Sequence, residues 1–274
     1  MTKKNVAIIM GGYSNEYPIS INSGNVVYKN LSRDTYNVYR IHILKEKWVY
    51  VSDNDQEFAV NKADFSFSDG TNTVYVDVVF NIIHGTPGED GLMQAYFELL
   101  GIPQTSCEHY ESALTFNKRD TLSILKNYGV RCANAYYLNK GDDINGEEIV
   151  KKVGLPCFVK PSKAGSSFGV TKVKTLTELK PAIAVAFKED KEILIETCLV
   201  GTEVSVGVMQ FKGETTILPP TEIVPHNDFF DYEAKYLGKS DEITPARISE
   251  QELKRVKEET KRIYELLNLK GISR

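Results

Sequence analysis

Between a lysine-bearing start and a pair of glycines, the chain carries an uninterrupted apolar run, Val6–Met10. A strand with one face in water alternates apolar and polar residues, whereas a run that is apolar at every position needs cover on both faces. Val6–Met10 is therefore expected to be a doubly buried strand of a parallel sheet flanked by helices. The opening MTKKNVAIIMGG resembles a secretory leader, but its five apolar residues fall short of the roughly 7–15 that such a core needs. Apolar runs such as Val6–Met10 and Val78–Phe80 are also far below the ~18 residues of a membrane span. A cytoplasmic protein with no membrane partner is expected.

Composition narrows the function classes. The 274 residues are 42% hydrophobic, enough for one large domain or two to three smaller lobes, and too apolar for a disordered chain. Lys and Arg number 33 against 37 Asp and Glu, a net charge of −4. Basic residues are interleaved with acids, which leaves no electrostatic footprint for nucleic acid. Cys107, Cys132, Cys157 and Cys198 have no C-x-x-C spacing and read as reduced, mostly buried thiols.

Along the chain, Val38–Leu44, Trp48–Val51 and Val76–Ile83 read as strands, with a helix from about Ser20 and another after HGTPGEDG whose stripe is Met93, Tyr96, Phe97 and Leu100. Gly101 and Pro103 stop the latter. Further on, a helix is expected from about Asn117 to Tyr128. Strands are expected at Leu155–Pro161, Val170–Val173, Glu192–Glu196, Glu203–Gln210 and Thr215–Val224. Thr175-x-x-Glu178 and Ser249-x-x-Glu252 are capping boxes opening two more helices, and Pro181 is expected in or near the first turn of the earlier one. Leu253, Val256, Thr260, Ile263 and Leu267 step along one face of the last helix. Leu269–Arg274 begins a further strand, and an ending there leads us to expect a piece of a longer protein.

Five segments carry chemistry. Gly11-Gly12-Tyr13-Ser14-x-Glu16 follows the buried strand; it reads either as a plain strand-to-helix turn or as a place where amides meet an anion while Glu16 holds an ammonium group. His84-Gly85 with Gly88-Glu89-Asp90-Gly91 lies where open α/β sheets place ligands. Lys160-Pro161-Ser162-x-x-Gly165-Ser166-Ser167-x-Gly169 sets a lysine at the end of an apolar strand, awkward to bury unless it meets an anion, before small residues able to fold over phosphates; the competing reading is a glycine-rich hairpin turn. Glu196-x-x-Leu199-x-Gly201-x-Glu203 offers two carboxylates and an apolar contact suited to a nucleoside, or an ordinary β-connection. Asp231–Tyr236 lies in a long polar connection of the kind that forms lids or mobile surface loops.

MGGYSNEYPIS, HGTPGEDG, FNKRDT, VKPSKAGSSFG, LIETCLVGTEVSV and DYEAKY, in this order, resemble the D-alanine–D-alanine ligase family of ATP-grasp carboxylate–amine ligases, from Val6 to Arg274. The resemblance implies an α/β fold built as a Rossmann-like lobe (1–105), a central ATP-grasp lobe (106–195) and an incomplete C-terminal ATP-grasp lobe (196–274), the latter two with mainly antiparallel sheets. It implies ATP, Mg²⁺ or Mn²⁺, D-alanine as substrate and a homodimer. By motif, Glu16 matches the acid that positions the amino group of the first D-alanine, His84 a histidine near its carboxylate, and Ser166 and Tyr236 the hydroxyls that hydrogen-bond with Glu16 and close the lid. Lys118, Lys160 and Lys235 match phosphate-binding lysines and Ser167 the covering loop. Glu196, Cys198 and Leu199 match adenine contacts, Glu203 the ribose acid and Arg274 the oxyanion arginine.

Two departures stand out. Tyr17-Pro18 follow Glu16 where many members carry Arg-Glu. The metal-binding Asp and the Glu-x-Asn pair fall beyond Arg274, so no metal ligand of the family is expected within these residues, and this stretch alone is expected to be inactive or nearly so. The other readings are a non-catalytic ATP-grasp remnant that binds nucleotide or D-alanine, and a ligase joining D-alanine to D-serine or D-lactate. Tyr236 speaks against lactate, because that variant typically carries a histidine there.

Overall fold

In the computed structural model the Val6–Met10 run lies inside an eight-residue strand, β1 (Lys4–Gly11). The structure describes residues 2–229 and 238–274 and divides into two compact units, Met1–Ala113 and Leu114–Arg274. In the first, β1 has a parallel neighbour on each side, β2 (Tyr36–Ile43) and a strand over Val78–Asn81. Antiparallel β3 (Trp48–Val51) and β4 (Glu57–Ala59) extend the sheet beyond β2, and a small hairpin, β5 (Phe67–Ser68) and β6 (Thr73–Val74), precedes β7 (Val78–Asn81). The sheet order is β4-β3-β2-β1-β7.

Both faces of β1 are covered. Ala7 and Ile9 join Ile41, Phe65 and the stripe residues Met93 and Phe97 of α2 (Leu92–Leu100). Ile8 and Met10 pack with Val38 and with Ile21, Val27 and Leu31 on the other side, where α1 (Tyr17–Asn30) lies. The first helix starts three residues before the expected Ser20, because Pro18 sits in its opening turn, where a missing N–H costs nothing.

α3 (His109–Phe116) crosses from the first unit into the second. There α4 (Lys118–Asn127) is capped by Asn117, whose side chain accepts from the Asp120 amide. The strands β8 (Ala135–Asn139), β9 (Cys157–Pro161), β10 (Thr171–Val173) and β11 (Glu192–Thr197) form an antiparallel sheet in the order β10-β9-β11-β8. Its core face, with Cys157, Val159, Val173, Ile193 and Ile195, packs on α5 (Gly146–Val153) and α6 (Leu176–Glu189).

Pro181 lies six residues into α6 rather than in its first turn. The lost backbone bond is offset by burial of Leu179, Ala182, Ile183 and Ala186 on the same helix, so packing overrides the local penalty.

Two expected strands are each broken in two. Glu203–Gln210 becomes β12 (Glu203–Ser205) and β13 (Val208–Phe211), and Thr215–Val224 becomes β14 (Glu214–Ile217) and β15 (Thr221–Pro225). The breaks fall at Gly207 and at Pro219-Pro220, where a missing side chain and missing donors interrupt a ladder. The halves join different sheets: β12-β15-β16, with β16 at Ser240–Ile243, and β14-β13-β17. The last helix, α7 (Glu250–Leu266), forms its capping box: the Ser249 hydroxyl accepts the Glu252 amide at 3.3 Å and the Glu252 carboxylate accepts the Ser249 amide at 2.9 Å. β17 (Ile272–Ser273) then pairs with β13.

Candidate functional site

In the first unit the sheet order reverses at β1. The chain leaves β1 through α1 to reach β2, whereas β7 lies on the opposite side, so the C-terminal ends of β1 and β7 border the crevice where open α/β sheets hold ligands. The glycines after β1 are needed there. Gly11 and Gly12 have φ of 102° and 101°, a region that L side chains avoid.

The turn beyond them is tied to the β7 loop. The Tyr13 amide donates to Thr86 O at 2.8 Å and the Ser14 hydroxyl to His84 O at 2.9 Å. Ser20 links the two strands, accepting from the Gly11 amide at 2.9 Å and donating to Ile82 O at 2.7 Å.

Glu16 is the N-cap residue of α1, and its side chain makes no cap bond to the helix amides. It is buried, with 4% of its surface exposed. A carboxylate at a helix start is favoured by the helix dipole. Gly85 gives it room: a Cβ there would lie 2.7 Å from Ser14 Oγ and 3.1 Å from Glu16 Oε2. The Gly85 amide donates to Glu89 Oε2 at 2.6 Å, and Gly88 O accepts from both Asn81 Nδ2 and Gln94 Nε2. Glu16 and His84, named from the sequence, thus meet at one switch point through Ser14, with His84 half-buried.

The second unit presents a different surface. On the face of the β10-β9-β11-β8 sheet away from α5 and α6, strand alternation gathers Phe158, Lys160, Lys172 and Glu196. The Lys160 ammonium pairs with the Glu196 carboxylate, their side chains 25% and 12% exposed. The Phe158 ring centroid lies 5.9 Å from Lys160 Nζ and 6.0 Å from Lys172 Nζ. Lys172 bonds Asp228 Oδ1 at 2.9 Å, Lys174 bonds its other oxygen at 2.8 Å, and Phe229 meets Phe158 edge-on at 5.3 Å. These two lysines hold the Asp228 carboxyl below the usual aspartate range.

Beside this face, Ser162 is a buried hub. Its hydroxyl donates to Asn117 Oδ1 at 2.6 Å and accepts the Arg119 amide at 3.2 Å, while its carbonyl accepts the Lys118 amide at 3.1 Å. Lys118 Nζ reaches Ala164 O at 2.5 Å, which sets the start of α4 against the serine-rich loop. In that loop Ser166 and Ser167 have φ of 49° and 60°. Two consecutive left-handed residues with side chains store strain, and such strain clusters at ligand clamps.

After β11 the chain runs through Cys198, whose amide donates to Pro156 O at 3.2 Å, to Leu199 and Val200, 73% and 97% exposed. Glu203 opens β12 on the surface, and burial, with a smaller effect of the Cys198 sulfur, pushes the Cys157 thiol up to about 11. Arg274 follows β17, which lies beside Val208 and Met209. Lys235 and Tyr236 lie outside the described residues. Among the described residues no group of three or more His, Cys, Asp or Glu is arranged to hold a metal ion, and no helix is long and apolar enough to cross a membrane. Sequence reading missed Phe158 and Lys172, although their parity with Lys160 along paired strands was the signal that could have found them.

A lysine-bearing sheet face beside a strained serine loop, on a chain that also carries an acidic half-site at a switch point, has the donors expected of a nucleotide-using α/β enzyme. Two family models match, described as D-ala D-ala ligase N-terminus over residues 5–107 and D-ala D-ala ligase C-terminus over residues 124–274. The chain belongs to the D-alanine–D-alanine ligase family. The D-alanine–D-alanine ligase of Flavobacterium johnsoniae is 66% identical over 271 residues, 99% of this chain and 84% of its own length. The structure is similar to D-alanyl-alanine synthetase A from Vibrio cholerae (TM-score 0.87, 26% identity, all of this chain and 84% of that one). It is also similar to VanG D-Ala:D-Ser ligase from Enterococcus faecalis (TM-score 0.83, 32% identity, 99% of this chain and 85% of that one).

Proposed function

We infer that the chain catalyses ATP-dependent joining of two D-alanines to D-alanyl-D-alanine for peptidoglycan synthesis, in the cytoplasm and as a homodimer. The observation that carries this reading is the match to the family along nearly the whole chain. The lysine-bearing face and the buried Glu16 supply chemistry of the required kind.

A carboxylate is a poor acyl donor, so the carboxylate of the first D-alanine attacks the γ-phosphorus of ATP, ADP leaves and an acyl phosphate forms. The neutral amine of the second D-alanine adds to the acyl carbonyl. The resulting oxyanion collapses, inorganic phosphate leaves and the nitrogen loses a proton. Phosphoryl transfer depends on positioning and charge neutralisation. In this reading Lys118, Lys160 and Lys235 meet the phosphates, with Ser167 in the loop above them. Glu196, Cys198 and Leu199 contact the adenine, and Glu203 the ribose.

Glu16 holds the ammonium of the first D-alanine, and its burial strengthens that pairing by excluding water. His84 lies near the substrate carboxylate. Ser166 and Tyr236 bond with Glu16, and Arg274 stabilises the oxyanion. The second unit comprises the central and C-terminal lobes, dividing near residue 195. Divalent metal is typical of the family, but the described residues offer no donor cluster that fits one, and no step here passes through it.

The test is product formation by the gene product containing these 274 residues, given ATP and D-alanine, with the dipeptide and ADP quantified by mass spectrometry. Equimolar dipeptide and ADP are expected. The likeness to a D-Ala:D-Ser ligase makes D-serine the informative competitor, and preferential incorporation of D-serine or D-lactate would overturn the substrate assignment.

A further inference from the structure

The cationic face of the second unit is electrostatically satisfied by the protein itself. Lys160 is engaged by Glu196, and Lys172 by Asp228, and both ammonium groups lie about 6 Å from the centroid of the Phe158 ring. Resting on the nucleotide reading above, the first pair joins two groups assigned to opposite ends of one ligand: Lys160 to phosphate, Glu196 to the base. Neither can serve its end while it holds the other.

We propose that the Lys160–Glu196 ion pair is an internal competitor that ties phosphate recognition to base recognition, so that a polyphosphate lacking a base binds poorly. The pairing is set by the sheet. Glu196 lies opposite Phe158, and Lys160 opposite Leu194 two residues along the same strands, which makes the lysine and the acid diagonal neighbours on one face. Cys157, Val159, Ile193 and Ile195, buried on the other face, fix the register that puts them there. With both side chains largely shielded from water, their attraction is little screened by salt. A polyphosphate alone must pull Lys160 away and leave the Glu196 carboxylate unpartnered, a costly state. A ligand that also presents an exocyclic amine gives that carboxylate a new donor. The exchange therefore favours an amino-bearing nucleotide over free polyphosphate or a nucleotide with a carbonyl at the same place.

The experiment is calorimetric binding of tripolyphosphate to the chain, its Glu196→Gln and Lys160→Ala variants and the double variant, with ATP as a second ligand. Glu196→Gln removes the competitor, and tripolyphosphate is expected to bind about tenfold more tightly, as for loss of a close charge pair. In the Lys160→Ala background the same substitution should change tripolyphosphate affinity less than twofold, because the effect runs through that lysine (taking ~0.4 kcal/mol as the limit of non-additivity for independent sites). Unchanged or weaker tripolyphosphate binding by Glu196→Gln overturns the proposal, as does an equal gain in the Lys160→Ala background. The nucleotide reading fails separately, if Lys160→Ala leaves ATP affinity intact.

Discussion

β1 and β9 are both interior strands, with a neighbour on each side, yet they contribute to their candidate sites in opposite ways. Along β1, Ala7 and Ile9 enter one core and Ile8 and Met10 another, so no face is left for a ligand and the chemistry collects past the strand's end, at Gly11, Gly12 and Glu16. Along β9, Cys157 and Val159 enter the core with α5 and α6, and Phe158 and Lys160 line the other face among Lys172 and Glu196. A doubly buried strand positions function through the turn that follows it; a singly buried strand carries function on its own side chains. The apolar pattern states which case applies: VAIIM has no polar position, whereas CFVKP alternates.

The largest expected effects test this difference directly. Ile8→Ala and Ile9→Ala each delete a fully buried side chain and should cost about 2–5 kcal/mol in urea unfolding. Phe158→Ala, on the half-covered face, should cost about 1 kcal/mol. Equal losses at the three positions would break the comparison. Lys160→Met keeps the aliphatic stem and removes the charge, so its effect belongs to binding: ATP affinity should fall about 30-fold or more, with a smaller change in unfolding midpoint than Ile8→Ala causes.

Gly85→Ala probes the end-of-strand site. It has φ of 71°, and a Cβ would meet Ser14 Oγ at 2.7 Å, so the variant should lose about 1–2 kcal/mol of stability and bind D-alanine more weakly by calorimetry. Undiminished D-alanine binding would count against Glu16 as the ammonium partner.

What could be read from the sequence follows the same division. Doubly buried β1, the α2 stripe and the capping box of α7 were legible, because each is a local pattern with one solution. Glu16, His84, Lys160 and the serine loop draw attention because small residues and charges at strand ends have few structural uses, whereas Lys118 enters only through the family resemblance; the roles of all of them belong to the proposed function. The segments Glu203–Gln210 and Thr215–Val224 were misread as single strands because periodicity does not say which sheet a residue joins; Gly207 and Pro219-Pro220 decide that. Pro181 was placed too early because its tolerance comes from the burial of Leu179, Ala182, Ile183 and Ala186, a tertiary fact. The short β8, β16 and α5 lack the long periodic stripe that marks an element, and Phe158 joins Lys172 only through cross-strand register.

β15 is the intermediate case and gives the smallest predicted effect. Ile223 is buried as a core residue should be, but its neighbour Glu222 is buried too, held by Arg247 through Nε at 2.8 Å, Nη2 at 2.9 Å and the backbone amide at 3.1 Å. Here a strand is covered on both sides although one cover is an ion pair. Arg247 holds the Glu222 carboxyl below its ordinary value of 4.5, so the folded protein binds that proton less readily than the unfolded chain does. The pair's contribution is therefore complete above the unfolded value and is lost as pH falls through the depressed folded one. Urea midpoints of the chain and of Arg247→Met should differ near neutral pH and converge as Glu222 becomes protonated in both states. A gap that stays constant into acid would mean that the guanidinium supports β15 by packing over it rather than by charge, and that β15 belongs with β1, closed on both faces by contact alone.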